Sequence, residues 1–154
     1  MEISKKRTKL VLMMANLKAT LEELPPIVLK TLQGDYGLLN LPSDAAIPDW
    51  VHRDAGDELV SLTRSVYGFS IICPDKWVPQ DLAGATHVAG WRALRVEQPR
   101  DWAMHGLYSR LAQPLSDDAI SIYLIGAYNA DHILVRGQDF SRAIQILSRF
   151  CDFT

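Results

Sequence analysis

The chain has 154 residues, of which 48% are hydrophobic and 22% are charged, and its formal net charge is −2. This balance is typical of a globular protein with its own core, and the length suits one domain or two small, closely packed subdomains. The charge and the lack of a long basic run argue against a nucleic-acid-binding protein, and no apolar run approaches the roughly 20 residues that cross a bilayer.

Residues 1–26 are predicted to form an N-terminal extension. Its apolar run, Leu10–Ala15, is short and is interrupted at Asn16, and no small-residue cleavage site follows. The stretch is therefore not expected to be a signal peptide, and a cytoplasmic location is predicted. Because the pair Pro25-Pro26 ends a helix-forming segment, the compact region is expected to start near Ile27.

Residues 27–89 are predicted to form a first subdomain built mainly of strands. A turn at Gly34-Asp35 separates its first two apolar runs, and Cys73 lies inside an apolar run that predicts a buried thiol. The expected elements are two strands within Ile27–Pro42, one helical turn around Pro48-Asp49-Trp50, and a hairpin of Glu58–Gly68 with Phe69–Pro74.

Residues 90–154 are predicted to form a second subdomain with two helices. Apolar residues recur at helical spacing within Asp101–Ala119, although Pro114 should leave the second half of this helix irregular. The last helix is expected over Asp139–Phe150, with Ser141 as its N-cap. The apolar stripe is Leu107, Leu111 and Leu115, and the expected strands are a short one at Thr86–Gly90, then Gly90–Arg100, Ile120–Ala127 and His132–Val135.

The order of these elements predicts the fold class. The second half gives strand–helix–strand–strand–helix, and the first half gives a similar order with short turns in place of helices. This is the βαββαβ pattern of a ferredoxin-like unit occurring twice, with the first repeat degenerate. We therefore expect an α+β fold with antiparallel sheets and helices on one face. Each repeat is too small to bury much core alone, so the two should pack together.

The segment Tyr128–His132 is unusually polar for the connection between two apolar strands. Asn and Asp are common turn residues, so the segment is consistent with a plain hairpin turn. It is equally consistent with a turn that contacts a small molecule. Gly126, within the preceding strand, is likewise consistent with close packing or with a ligand.

Several phrases stand out in order along the chain: "YGLLNLP", "VYGFSIICPDKWVP", "GWRALRVE" and "ISIYLIGAYNADHILV", the last followed by a helix ending in "AIQILSRF". Together they resemble the small tandem ACT-domain proteins over Thr31–Phe150. The resemblance extends to the ACT modules of aspartate kinases and of the animal cytosolic arginine sensor. It implies a ferredoxin-like regulatory module that binds an amino acid or another small effector between two units, commonly as a homodimer.

The resemblance also implies a ligand site between the first loop of the second repeat and the end of a neighbouring strand. Free N–H groups at a helix N-terminus favour a carboxylate, Gly106 permits close approach, and Asp131 or Asp101 could hold an ammonium group. The corresponding loop of the first repeat, Pro48–Asp57, is compressed and acidic, which argues against an equivalent second site. The predicted ligand-binding residues are Asp101, Trp102, Met104, His105, Gly106, Gly126, Ala127, Tyr128, Asn129, Ala130 and Asp131.

Other chemistry has little support in the sequence. His105 and His132 lack partners at metal-ligand spacing, so no metal site is predicted. There is no nucleophile elbow and no glycine-rich phosphate loop, so we expect neither a cofactor nor catalytic activity. The alternative that the chain is a small enzyme would be supported only by scattered Asp and His residues.

The sequence as a whole predicts a cytoplasmic, homodimeric regulatory protein that binds a small-molecule effector, an amino acid, and has no catalytic activity of its own. A protein partner is possible, whereas nucleic acid and membrane are not expected as partners. One alternative is a protein-interaction module that has lost ligand binding. Another is a dimerising regulatory subunit of a metabolic enzyme.

Overall fold

The computed structural model describes residues 27–97 and 106–154. In these two ranges, eight strands form one sheet, and two α-helices pack on part of one face. Predictions for residues 1–26 and 98–105 lie outside the described residues. The strands are β1 (Ile27–Thr31), β2 (Tyr36–Leu41), β3 (Ser61–Ser65), β4 (Gly68–Pro74), β5 (Thr86–Val96), β6 (Ile122–Gly126), β7 (Asp131–Arg136) and β8 (Cys151–Phe153); the helices are α1 (Leu107–Asp117) and α2 (Gly137–Leu147), and short 3-10 turns occur at Asp49–His52 and Asp75–Trp77.

Strand β5 is central to the sheet because it pairs with three other strands, β1, β2 and β7. Its N-terminal part pairs with β2, and its C-terminal part lies between β1 and β7. Beyond β2 come β4 and β3, beyond β7 comes β6, and beyond β1 comes β8. All pairs are antiparallel except β1 with β8, which are parallel. The predicted α+β class, with helices on one face of a mainly antiparallel sheet, is confirmed.

The two helices pack on the face formed by β1, β5 and β7. Leu107, Leu111 and Leu115 are all buried there, which confirms the predicted stripe. The expected irregular second half of this helix is wrong, because α1 continues through Pro114 to Asp117. Proline removes one hydrogen bond from the helix, and its ring crowds the carbonyl group of the residue four positions earlier. The buried leucines on either side hold the helix against the sheet, and such packing supplies most helical stability in proteins.

Three further details differ from the sequence predictions. Ser141 is not a cap, because α2 begins at Gly137 and Ser141 lies inside it. Thr86–Gly90 is not a separate strand, because β5 runs unbroken through Gly90, which has a positive φ of 80°. Strand β8 was not predicted. The predicted boundary between residues 89 and 90 lies inside β5, and this domain division stays a prediction.

The residues on either side of Gly90 are held by Arg136 at the end of β7. The guanidinium of Arg136 lies over the Trp91 ring, 4.4 Å from its centroid. It also donates a hydrogen bond from Nη1 to the carbonyl oxygen of Ala89 over 3.1 Å. One side chain thus contacts the residues on both sides of the glycine.

The face of the sheet that points away from the helices is concave. Its apolar cluster includes fully buried side chains of Tyr36 in β2, Ala93 in β5 and Leu134 in β7. The cluster also includes Ile72 of β4 and Ile125 of β6, although three strands separate β4 from β6. In a flat sheet those two strands would be about 19 Å apart. Residues of β3 and β4 nevertheless line one cleft together with residues of β6, so the sheet curls around this cluster.

The opposite face of β2 and β4 is covered by the 3-10 turns and their loops. Phe69, Ile71, Cys73 and Trp77 are buried in a third apolar cluster there. Burial raises the pKa of the Cys73 thiol to about 12. The expectation of a buried thiol is confirmed, and the high pKa leaves the group protonated and weakly nucleophilic near neutral pH.

The loop before β3 is tied to the sheet by a charged network around Asp57. Its Oδ2 lies 2.6 Å from Nζ of Lys30 in β1, and its Oδ1 lies 2.8 Å from Nη1 of Arg95 in β5. Arg95 Nε also donates to Oε1 of Glu97 over 2.6 Å. Hydrogen bonds from Lys30, which has the larger effect, and from Arg95 hold the pKa of Asp57 below its ordinary value of 3.8.

We expect the Asp57 network to stabilise the fold above pH 4 and to be lost in acid. A carboxyl group whose pKa is lowered by folding stabilises the native state above its unfolded-state pKa, and that contribution disappears as pH falls through the lowered value. The difference in unfolding free energy between wild type and Asp57→Asn should therefore shrink below pH 4. Urea titrations at pH 7, 4 and 3 would measure it, with the exposed Asp44→Asn as control. A difference independent of pH would contradict the assignment.

Candidate functional site

One side-chain hydrogen bond joins the start of α1 to the start of β7. Tyr108, in the first turn of α1, donates its hydroxyl to Oδ1 of Asp131 over 2.8 Å. Asp131 is the first residue of β7. Because the tyrosine is fixed to a packed helix, this bond sets the direction of the Asp131 carboxylate.

Gly126 makes this hydrogen bond possible. It is the last residue of β6 and lies opposite Asp131 in the β6–β7 ladder. A Cβ at this position would lie only 2.9 Å from the Tyr108 hydroxyl oxygen. Any larger residue would therefore push the tyrosine away from Asp131. The close-packing interpretation of Gly126 is thus supported, and a role in ligand contact stays a prediction.

The polar segment after β6 is a tight, exposed turn. The backbone N–H of Ala127 donates to the carbonyl oxygen of Ala130 over 3.1 Å, which closes the loop. Tyr128, at the tip, is 74% exposed, and Asn129 is exposed as well. The residues thus form an ordinary turn, and two of its side chains are also accessible to a ligand or a partner.

The acid and the histidine that follow this turn point to opposite faces of the sheet. Successive side chains of a strand alternate between faces. Asp131 shares the helix-covered face with Ile133, which packs in the helix–sheet cluster. His132 is 7% exposed and lies opposite Ile125, on the concave face. Of the two, Asp131 is the one beside α1.

The N-terminus of α1 is the second component of the site. Gly106 precedes the helix with a positive φ of 77°, and its carbonyl oxygen accepts hydrogen bonds from Arg110 N and Ser109 Oγ, each over 2.9 Å. No side chain caps the helix at this residue. The first N–H groups of a helix have no intrahelical acceptor, and the helix dipole favours an anion there. The start of α1, which favours anions, and the Asp131 carboxylate are linked through the side chain of Tyr108.

This arrangement matches the two charges of an α-amino acid. The start of α1 is suited to a carboxylate, and Asp131 is suited to an ammonium group. The structure brings Gly126 and Asp131 together at the hydroxyl of Tyr108, a residue that the sequence interpretation missed, and Gly106 precedes the helix that carries this tyrosine. The signal was its position two residues after Gly106, in the first turn of the predicted helix. The other predicted loop residues lie outside the described residues: Asp101, Trp102, Met104 and His105.

Within residues 27–97 and 106–154, no group of three or more His, Cys, Asp or Glu side chains could hold a metal ion. In the same ranges, no helix is both long enough and apolar enough to span a membrane.

Comparison with known proteins links this geometry to one family. Residues 86–149 match the family model of the ACT domain. Protein Atu0741 from Agobacterium tumefaciens is 30% identical, with a TM-score of 0.75, and the alignment covers 85% of this chain and 94% of that one. No curated protein matches the chain.

Two more distant structures share the fold. Aspartokinase III of E. coli, solved in complex with aspartate and ADP, is 14% identical with a TM-score of 0.57, over 82% of this chain and 34% of that one. The regulatory subunit of aspartate kinase from Thermus thermophilus is 10% identical with a TM-score of 0.53, over 84% of this chain and 98% of that one. As the sequence predicted, this chain belongs to the ACT-domain family and resembles the regulatory modules of aspartate kinases.

Proposed function

We propose that this protein is a non-catalytic regulatory protein that binds an amino acid at the junction of α1 with the β6–β7 hairpin. The observation that supports it most directly is the Tyr108–Asp131 hydrogen bond in the first turn of α1, a helix whose N-cap residue, Gly106, supplies no side-chain cap. Asp131 would hold the α-ammonium group, and the first N–H groups of α1 would hold the α-carboxylate. Membership of the ACT family supports a regulatory, small-molecule-binding role.

The remaining predicted residues complete the proposed site. The loop residues Asp101, Trp102, Met104 and His105 precede Gly106 in the sequence, lie outside the described residues and stay part of the proposed site. The turn from Ala127 to Ala130 would approach it from the hairpin side. In this proposal Tyr108 is a positioning residue, because it acts through the carboxylate of Asp131.

A thermal-shift screen against the twenty amino acids tests this proposal. A ligand at 100 times its dissociation constant stabilises the fold by about 2.7 kcal/mol, and each kcal/mol raises the Tm of a domain of this size by about 2–4 °C. Asp131→Asn should abolish the shift, because it removes the charge while leaving an oxygen that accepts from Tyr108. Asp152→Asn, an exposed carboxylate on β8, is the matched control.

Two results would contradict the proposal. One is a well-folded protein whose Tm no amino acid shifts. The other is a shift that Asp131→Asn and Asp152→Asn leave equally unchanged, which would place the ligand elsewhere.

We also propose that the protein is a cytoplasmic homodimer. In the described chain, β3, β6 and β8 each pair with a single strand, so each presents an edge with unpaired backbone groups. Such an edge can pair with a strand of another chain. Light scattering after gel filtration should give twice the chain mass of 17.3 kDa, and a monomer at micromolar concentration would contradict the proposal.

A protein-interaction module is the second candidate, favoured by exposed apolar residues at two hairpin tips. Val66 and Tyr67 join β3 to β4 and are 87% and 91% exposed. Tyr128 occupies the corresponding tip between β6 and β7. A regulatory subunit of a metabolic enzyme would use such a surface. Loss of a specific co-purifying protein on changing Val66 and Tyr67 to serine, combined with a flat amino-acid screen, would favour this candidate.

A further inference from the structure

In the described residues, the chain passes between two halves of the sheet at two places. The first half consists of β2, β3, β4 and the start of β5, and the second consists of β1, the rest of β5, β6, β7, β8 and both helices. One crossing is the turn 32–35 between β1 and β2, and the other is residues 89–91 within β5. Each crossing contains a glycine with a positive φ, 75° at Gly34 and 80° at Gly90. Both crossings therefore use a backbone conformation that other residues rarely adopt.

Close packing does not explain either glycine. A Cβ built at Gly34 or at Gly90 would have no heavy atom within 4 Å apart from those of its chain neighbours. The glycines are therefore explained by their backbone angles, and the space beside each of them is open. Hinges between parts of a protein are a few residues in loops or at the ends of elements that absorb changes in φ and ψ, and they are often small.

Strand β5 has a β-bulge at the second crossing. Tyr36 of β2 pairs with Trp91 of β5. Leu38, two residues later in β2, pairs with Val88, three residues earlier in β5, so β5 has one extra residue in the interval that contains Gly90. A bulge interrupts the ladder of hydrogen bonds and bends its strand. The backbone ladder therefore does not hold the two parts of β5 in line, and side-chain contacts help to set the angle between them.

Arg136 makes such contacts on both sides of the bulge. It is the last residue of β7 and pairs with Trp91, the first residue after Gly90. Its guanidinium lies over the Trp91 ring in the second half and donates a hydrogen bond to the carbonyl oxygen of Ala89 in the first half. One side chain thus joins the two halves at the point where β5 passes between them.

Away from the crossings, a cleft separates the outer strands of the two halves. Its walls are β3 and β4 of the first half and β6 of the second, and it has a volume of about 190 Å³. Strand β3 is the outermost strand of the first half, and β6 lies beyond β7 in the second. A small change in the angle between the halves would therefore be largest here, because these strands lie farthest from the crossings.

We infer that Gly34 and Gly90 are the two hinge points between the halves, and that Arg136 is the latch that fixes the angle between them. When the guanidinium of Arg136 no longer holds Ala89, the halves rotate about the two glycines and the width of the cleft varies. The inference does not depend on what the proposed site binds.

Distance measurements between two spin labels on the full chain test the inference. Tyr67→Cys places one label at the tip of the first half, where the side chain is 91% exposed, and Gln145→Cys places the other on the exposed side of α2. Burial raises the pKa of the native Cys73 thiol to about 12 and that of Cys151 to about 11. Both thiols therefore stay protonated and react poorly with the label at neutral pH.

Arg136→Met should broaden the distribution of distances by several ångströms relative to the wild type, because methionine keeps an apolar chain beside Trp91 but cannot donate to Ala89. Arg142→Met is the matched control, since Arg142 pairs with Asp118 within the second half. An unchanged distribution in a folded Arg136→Met protein would overturn the inference. Equal broadening in Arg142→Met would overturn it too, because the effect would then be a general loosening of the chain.

A second pair of labels, at Tyr128→Cys and Gln145→Cys, lies entirely within the second half and should keep its distance in Arg136→Met. Broadening there would show that β7 itself is disturbed and would count against the latch. If Arg136→Met does not fold, Arg136→Lys decides the question. Lysine keeps the charge but lacks the planar group that stacks on Trp91, so a distribution as narrow as that of the wild type would overturn the inference.

Discussion

Replacing Leu134 with alanine is expected to lower the free energy of unfolding by about 2–5 kcal/mol, the usual cost of removing a large buried aliphatic side chain. Leu134 is 0% exposed and lies at the centre of the concave face. Its cluster contains residues from both ends of the curled sheet, Ile72 of β4 and Ile125 of β6. The substitution therefore leaves a cavity where the two halves of the chain meet.

Urea unfolding followed by both circular dichroism and tryptophan fluorescence would measure the effect. Trp77 lies in the cluster beneath the 3-10 turns and Trp91 beside the concave cluster, so fluorescence reports on both regions. If the halves unfold together, the two signals should share one transition, displaced equally in Leu134→Ala. Leu62→Ala is the control, because Leu62 is 41% exposed and surface changes usually stay within about 0.5 kcal/mol. A loss below about 1 kcal/mol in Leu134→Ala would show that the concave cluster does not join the halves.

Replacing Gly126 with alanine is expected to cost about 1–3 kcal/mol, the usual penalty for inserting a methyl group into an occupied space. The new Cβ would lie 2.9 Å from the Tyr108 hydroxyl oxygen. The tyrosine must then move, and its hydrogen bond to Asp131 is lost. Ligand affinity should fall with it in the proposed site, since Asp131 loses the group that orients it.

A double-mutant cycle with Tyr108→Phe isolates this mechanism. Phenylalanine lacks the hydroxyl oxygen, and the next atom near the new Cβ is Oδ1 of Asp131 at 3.5 Å, an ordinary contact. Gly126→Ala should therefore cost less in the Tyr108→Phe background than in the wild type. Thermal and urea unfolding of the four proteins would give the coupling energy. Additive effects would mean that Gly126 is required for another reason, such as backbone conformation.

Individual helices, strands and turns were predictable because the residues that specify each of them lie close together in the sequence. The helical spacing of Leu107, Leu111 and Leu115 fixed which face of α1 is buried. The turn residues Gly34-Asp35 fall between β1 and β2, where the sequence placed them. The effect of Pro114 was predicted wrongly because its low helix propensity was considered without the buried leucines on either side of it. Propensity is a weak guide when the tertiary context opposes it.

The sheet order could not be read from the sequence in the same way. The periodicity of a strand shows that it is a strand but does not name its partners. Nothing local in Ile27–Thr31 indicates that it pairs with the last strand of the chain, Cys151–Phe153, in parallel. The concave face could not be predicted for the same reason, since the curl of the sheet depends on how all eight strands pair.

The candidate site was predictable only in part. Gly106, Gly126 and Asp131 were identified through the family resemblance and through their residue types. Tyr108 was missed because a hydrogen bond between residues 108 and 131 depends on how a helix packs on a strand.

The position of β1 between β5 and β8 also bears on how this protein can evolve. The segment that matches the ACT-domain model, residues 86–149, includes neither β1 nor β8. Recombination that exchanged this segment with a relative would separate it from Ile27 and Cys151, which are paired neighbours in its core. A substitution in β1 that changes its packing against β8 is therefore expected to require a compensating substitution in β8. An exchange that keeps the fold should carry both strands with the segment.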